Sequence, residues 1–220
     1  MKLVLKQKSA ILFFYIFFFF LFSFTIRRND PDLFEMTLQD FTGESFSFNN
    51  IKNNSASIFV FFLPDCPLAQ NYTLTVKHLT ETFKKETPKV YYVIPGKDYS
   101  RKEIKEFTQD YQIEESKVLL DPDYEFATYV GASISPESFL IDKKGEVQYQ
   151  GAIDNWAYEL GKKRKVITEK YLEDALNAYY SNGTILKKKT KSIGCFLNMP
   201  NHKHHHSKEK KNDSKPHHHN

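Results

Sequence analysis

The feature that most constrains this chain is the junction at Cys66-Pro67. Before it runs Ser57-Ile58-Phe59-Val60-Phe61-Phe62-Leu63, an apolar, β-rich stretch of the length of a buried strand. After it Leu68, Tyr72, Val76, Leu79 and Phe83 recur at helical spacing and form one apolar face. Proline fits the first helical position, where its missing N–H has no partner to lose. A thiol at such a junction meets free backbone N–H groups and the positive end of the helix dipole, both of which favour thiolate. Asp65 acts in the other direction, because a neighbouring carboxylate disfavours a second negative charge. Cys66 is therefore either a reactive thiol or the inert buried thiol that a free cysteine often is.

The elements around the junction follow a consistent order. Residues 34–48 alternate and turn at Gly43, which predicts a hairpin. Lys89 to Pro95 forms a second strand, far enough from the first for a parallel, right-handed crossover. Ser100 and Glu103 have the spacing of a capping box, and Ile104, Phe107 and Tyr111 give that helix its apolar stripe. Val118-Leu119-Leu120 predicts a short strand ending at Asp121-Pro122, and residues 123–130 a short helix stopped by Gly131. Residues 137–142 and 146–151 flank Lys143-Lys144-Gly145 as an antiparallel hairpin. Thr168 is placed to cap a last helix that carries Leu172, Ala175, Leu176 and Tyr179 inward and ends at Asn182-Gly183. Strands alternating with helices, then a hairpin and a helix, predict an α/β sandwich on a mixed sheet.

Both ends differ from this middle. Residues 10–26 are uncharged and almost wholly apolar, behind Lys2, Lys6 and Lys8. Residues 1–28 thus form an uncleaved membrane anchor or a signal peptide, with the domain on the far side of the membrane. Residues 29–184 hold the domain and carry 25 acidic against 17 basic side chains. Residues 185–220 carry nine lysines and two acids. The net +4 is the sum of an acidic domain and basic ends, and no nucleic-acid-binding motif appears, so nucleic acid is not an expected partner. Residues 198–220, rich in lysine and histidine without an apolar period, are expected to be disordered. The segment 185–197 is different, because Ile193, Phe196 and Leu197 give it apolar side chains with which to dock.

At this point the chain resembles the thioredoxin-fold superfamily, in the redoxin branch of the alkyl-hydroperoxide-reductase/thiol-specific-antioxidant proteins. The matching residues are Phe61 to Ala69, Leu120-Asp121-Pro122, and Ser135-Pro136 through Asp142 with Lys144-Gly145. Gly151-Ala152-Ile153-Asp154-Asn155, Gly161-Lys162 and Gly194-Cys195-Phe196 resemble extracytoplasmic bacterial redoxin-domain proteins with a late Gly-Cys segment. The resemblance implies a cis bond at Ser135-Pro136 beside the active cysteine. It also exposes two departures. Ala69 stands where a redox C-x-x-C needs its second cysteine, and Phe59 and Leu63 replace the Pro and Thr of the peroxidase signature. Leucine cannot orient a peroxide as a threonine hydroxyl does, so peroxidase chemistry by that route is disfavoured.

These residues imply thiol–disulfide exchange with protein thiols or disulfides, through Cys66 as attacking thiol and Pro136 as the shaper of the groove. Cys195, the other cysteine, is either a spare residue or a resolving thiol docked within disulfide reach of Cys66. No cofactor is expected. A rival reading is a copper-binding module built from Cys66, Cys195 and tail histidines, since thiolates favour Cu(I). His202, His204, His205, His206, His217, His218 and His219 could also hold Cu, Zn or Ni, though without fixed geometry. A third reading is a binding domain that keeps the fold without activity. His78 falls off the apolar stripe and is expected at the surface, and Trp156 and Tyr158 are expected in a loop.

Overall fold

The alternation of side chains in β3 (Ser57–Phe61) sets the layering of the molecule. In the computed structural model, which describes residues 32–199, all five residues of this strand are buried. Ile58 and Val60, with Phe62 beyond the strand, pack into one hydrophobic core. Phe59 and Phe61 pack into another. Successive strand residues point to opposite faces, so the sheet divides two cores and is covered on both sides.

The sheet has seven strands in the order β2-β1-β5-β4-β3-β7-β8. They are β1 (Thr37–Asp40), β2 (Ser45–Ser47), β3, β4 (Lys89–Pro95), β5 (Val118–Asp121), β7 (Glu137–Ile141) and β8 (Val147–Gly151). β3–β4 and β4–β5 are parallel. The first hairpin, its join to β5, and the β3–β7 and β7–β8 pairs are antiparallel, so the sheet is mixed. α1 (Pro67–Thr82), α2 (Arg101–Asp110) and α4 (Tyr171–Tyr180) bring Val76, Phe107 and Leu176 to the first core. α3 (Glu125–Val130) and the 3-10 turns at Leu33–Glu35 and Phe48–Asn53 close the second. Phe126 of α3 meets Phe48 and Phe59 at 4.5 and 4.9 Å between ring centroids. Ser100 and Glu103 form the expected capping box of α2, Gly131 ends α3 in the left-handed region, and His78 is exposed.

Two local expectations change. Thr168 does not cap α4, whose N-cap is Lys170. Its hydroxyl instead accepts from the Asn155 amide at 2.7 Å, and its N–H donates to Asn155 Oδ1 at 3.0 Å. Asn155 thus claims both groups that a cap would use. The segment around Trp156 and Tyr158 is not an open loop but a small hairpin, β9 (Ala157–Glu159) and β10 (Lys162–Lys163). It turns at Gly161, whose φ of +76° suits glycine. Among the described residues no helix is long and apolar enough to cross a membrane. The anchor or signal expected in residues 1–28 lies outside the described residues, as does the tail from residue 200 on.

Candidate functional site

The chain leaves β3, turns through Pro64 and Asp65, and places Cys66 as the N-cap of α1, with Pro67 inside the first turn. The Cys66 carbonyl accepts the first helical bond from Gln70 N–H at 3.0 Å. No side chain caps the helix, so its N-terminal N–H groups remain directed toward the sulfur's end. Ser135-Pro136 is cis and lies beside this turn. The Ser135 hydroxyl accepts from Leu63 N–H at 2.7 Å, and the Ser135 carbonyl oxygen lies 3.3 Å from Cys66 Sγ. A reduced Cys66 can donate its S–H to that oxygen, which opposes ionisation. Asp65, expected to act in the same direction, accepts a hydrogen bond from the Tyr99 phenol. Burial, and then that carboxylate, push the Tyr99 phenol well above its ordinary range.

Cys195 closes the site. It forms a disulfide with Cys66 across a Cα–Cα distance of 6.2 Å. It is carried by β11 (Cys195–Phe196), which pairs antiparallel with β6 (Ile134–Ser135) in the register Cys195↔Ser135 and Phe196↔Ile134. Gly194 permits this approach, because a Cβ there would overlap the Ser135 carbonyl. Leu197 is buried in the second core, and its N–H donates to the Ser133 carbonyl at 3.0 Å. Upstream, Thr190 Oγ1 lies 2.6 Å from the Tyr149 hydroxyl and accepts from Ala152 N–H at 3.0 Å. Asn198 continues the docked strap by donating to Asp98 at 3.1 Å. Phe196, expected to bury itself, is 62% exposed. Pairing of β11 with β6 turns its side chain away from the face that Leu197 fills.

Two further groups lie inside the segments that carried the resemblance but were given no role by the sequence. Glu137, next to the cis proline, is buried, and its carboxylate accepts from Ser133 N–H at 3.0 Å. It thereby shapes the backbone edge on which β11 lies. Burial pushes its carboxyl up, against the opposing effect of backbone N–H groups and of Lys189. Asp154, in the Gly-x-Ile-Asp segment, accepts from the Tyr72 phenol at 2.6 Å and from Trp156 N–H at 2.8 Å. Burial raises the Tyr72 phenol, and Asp154 raises it further. This network ties the β9–β10 hairpin to α1, and Trp156 stacks edge-on against Tyr72. Its role is packing. A pair of polar residues far apart in sequence carries no local signal, whereas the Gly-Cys dipeptide did.

Among the described residues no group of three or more histidine, cysteine or acidic side chains could hold a metal ion. Cys66 and Cys195 are bonded to each other, and thiolate ligation would require that bond to be reduced. The seven tail histidines lie outside the described residues.

Residues 31–150 match the AhpC/TSA family. No curated protein matches the chain. Among solved structures, a hypothetical protein from Sinorhizobium meliloti 1021 superposes with a TM-score of 0.65 at 19% identity, over 79% of this chain and 98% of that one. An uncharacterized conserved protein from Geobacillus kaustophilus gives 0.64 at 16% identity, over 76% and 90%. The dsbF protein of Mycobacterium tuberculosis, described in mixed oxidized and reduced forms, gives 0.50 at 16%, over 68% and 98%. Likeness at these identities shows the thioredoxin-like α/β fold.

Proposed function

The chain belongs to the AhpC/TSA family, and from that premise we propose that it is a thiol–disulfide exchange protein whose redox pair is Cys66 and Cys195. The observation that carries the reading is the disulfide between them, set at the N-terminus of α1 beside cis-Pro136. In the reduced protein the helix terminus favours the Cys66 thiolate. It attacks a partner's disulfide, one partner sulfur leaves as thiolate, and a mixed disulfide forms at Cys66. Cys195 then attacks Cys66 Sγ, restores the intramolecular bond and releases the second partner thiolate. Pro136 shapes the wall beside the reacting sulfur. Partners are protein thiols or disulfides, and no resident cofactor is needed. A peroxide route is disfavoured by Phe59, which is buried in the second core, and by Leu63. The apolar run at residues 10–26 supports export or anchoring, with the domain outside the cytoplasm, where a disulfide persists.

The test is a redox titration of the pair in glutathione buffers, joined to a disulfide reductase assay. The wild type is expected to open and close reversibly. Cys66→Ser and Cys195→Ser should each lower reductase turnover by about a hundredfold or more. Full activity in Cys66→Ser, or a bond inert at every glutathione ratio, would defeat the reading.

A further inference from the structure

Charge on this chain is divided between two regions. Residues 32–154 carry twenty acidic and twelve basic side chains. Residues 155–170 carry five basic and two acidic, and residues 185–199 four basic and none acidic. The fold puts these two basic segments side by side. Tyr158, Glu159 and Leu160 of the β9–β10 hairpin share a groove with Lys189 and Lys191 of the strap, and Lys187 Nζ meets Glu169 at 2.6 Å. The second acid of the region is engaged as well, since Lys162 holds Glu159 at 2.7 Å. Aromatic rings keep three of the cations in place. Lys163 lies over Trp156 at 5.4 Å, Arg164 over Tyr158 at 5.0 Å and Lys187 over Tyr171 at 5.1 Å. Lys165, Lys188, Lys189 and Lys191 are exposed. The result is a basic edge on an acidic body.

This edge adjoins the redox pair. Gly194 and Phe196, on either side of Cys195, belong to its groove, while Cys195 turns the other way into its bond with Cys66. The edge therefore flanks the pair and leads to neither sulfur. Tyr158, Leu160 and Phe196 stand among the cations at 49, 59 and 62% exposure. Solubility is served by charge alone and gains nothing from exposed rings. Apolar side chains inside a charged rim mark a surface that another protein covers. An acidic protein is repelled by the rest of this body and attracted here, so it arrives with the redox pair beside it. We infer that the exchange partner of this chain carries an acidic segment with apolar side chains next to its cysteines, and that this segment docks on the basic edge formed by the β9–β10 hairpin and residues 187–191. The inference rests on the exchange reading and adds the chemistry of the partner's surface. Docking brings the partner's cysteines to the pair, and the edge itself takes no part in the exchange of bonds.

Three peptides with the same two cysteines test this on the oxidised full-length protein. One sets the cysteines among leucine and aspartate, the second among leucine and lysine, the third among serine and aspartate. Each rate of opening the Cys66–Cys195 bond is divided by that peptide's rate on a small neutral disulfide, which removes the effect of flanking charge on its thiols. At low salt the leucine–aspartate peptide is expected to be about tenfold faster than the leucine–lysine peptide. It should be about threefold faster than the serine–aspartate peptide. Salt at about 1 M should bring the first ratio below about twofold. Lys163→Glu with Arg164→Glu should abolish the preference for acid, with the dithiothreitol rate changed by less than about twofold. Where that pair slows dithiothreitol as well, Lys165→Glu with Lys188→Glu decides, because it spares the ring contacts and should cut the preference by about threefold. The lysines of residues 200–220 are the same in both variants, so a preference that survives both reversals overturns the inference. Equal rates for the three peptides overturn it and leave the exchange reading standing. Equal rates joined to patch-dependent binding of phosphatidylserine over phosphatidylcholine vesicles would assign the edge to a lipid surface instead. A bond that glutathione never opens reversibly ends the exchange reading itself, and the inference with it.

Discussion

The two sulfurs of the pair come from regions held by different physics. Cys66 belongs to the sheet region, where β3 and β7 are buried at every position and aromatic rings fill both faces. Cys195 belongs to residues 185–199, where Ile185, Ser192, Gly194 and Leu197 are the buried positions. That strap is fixed by the short β11–β6 pairing, by Gln150 N–H to the Lys188 carbonyl, Thr190 N–H to the Gln150 carbonyl and Leu197 N–H to the Ser133 carbonyl, by the Thr190 hydroxyl and Asn198 side chain, by the burial of Ile185 and Leu197, and by the disulfide. A core held by apolar area keeps its shape whatever the redox state. A segment held by two buried apolar side chains, a few polar bonds and one covalent bond depends far more on that covalent bond. Oxidation state and strap docking are thereby coupled, so a partner that reduces the bond also changes the surface.

The largest expected effect tests that dependence directly. Cys195→Ser, or reduction of the wild type, should lower unfolding free energy by roughly 4–5 kcal/mol on chain-entropy grounds, given a sequence separation of 129. Urea unfolding of oxidised wild type against the variant measures it. A loss below about 1 kcal/mol would mean that the strap holds itself as the core does, and the comparison would fail.

Next in size are two truncations, one on each side of the seam. Phe126→Ala removes a fully buried ring packed on Phe48, Phe59 and Phe61 and should cost about 3–5 kcal/mol in both redox states. Leu197→Ala should cost about 2–4 kcal/mol in the oxidised protein. In the reduced protein its cost should appear as faster amide exchange at residues 190–197, with little change in global unfolding. Global destabilisation of the reduced protein by Leu197→Ala would place the strap inside the core's cooperative unit.

The same division explains what was legible in the sequence. The Cys66 junction, the crossover to β4, the capping box of α2 and the stop at Gly131 are local signals, and each appears where its pattern lies. The cis bond at Ser135-Pro136 was legible through resemblance, and the nearness of Cys195 through the apolar residues around it and the lack of any other second cysteine, because pairing across the chain has no period. Thr168 was misread because its competitor, Asn155, is thirteen residues away. Phe196 was misread because hydropathy says that a ring prefers burial, not which face of a two-residue strand it occupies. Glu137 and Thr190 were missed for a related reason. A buried polar residue is defined by its partners, and those partners are set by the fold.

A smaller effect should carry the opposite sign. The Ser192 hydroxyl is buried with no hydrogen-bond partner, which costs desolvation without return. Ser192→Ala should strengthen docking by about 1 kcal/mol. The gain should appear as a more stable oxidised form, and so as a pair harder to reduce in a glutathione titration. An unchanged midpoint would mean that the strap at Ser192 is too loosely held for one hydroxyl to matter.

The smallest expected effect comes from the seam itself, through pH. Glu137 is a core residue whose carboxylate fixes the backbone edge under β11, and its countercharge, Lys189, rides on the strap. Burial raises its folded pKa above the unfolded value, near 4.3 for a free glutamate. Above the folded pKa the buried charge costs stability by a constant amount. As pH falls through that pKa the folded chain takes up the proton first, and the cost is gone below the unfolded pKa. Glu137→Gln keeps an oxygen for Ser133 N–H but has no proton to gain. Wild type should therefore gain on Glu137→Gln as pH falls through that window, in urea unfolding of the oxidised protein. Reduction loosens the strap and takes Lys189 away, which leaves the carboxylate less compensated, so in the reduced protein the gain should begin at a higher pH. The same onset in both redox states would show that Lys189 stays in place without the disulfide, and that the strap does not need the bond that defines it here.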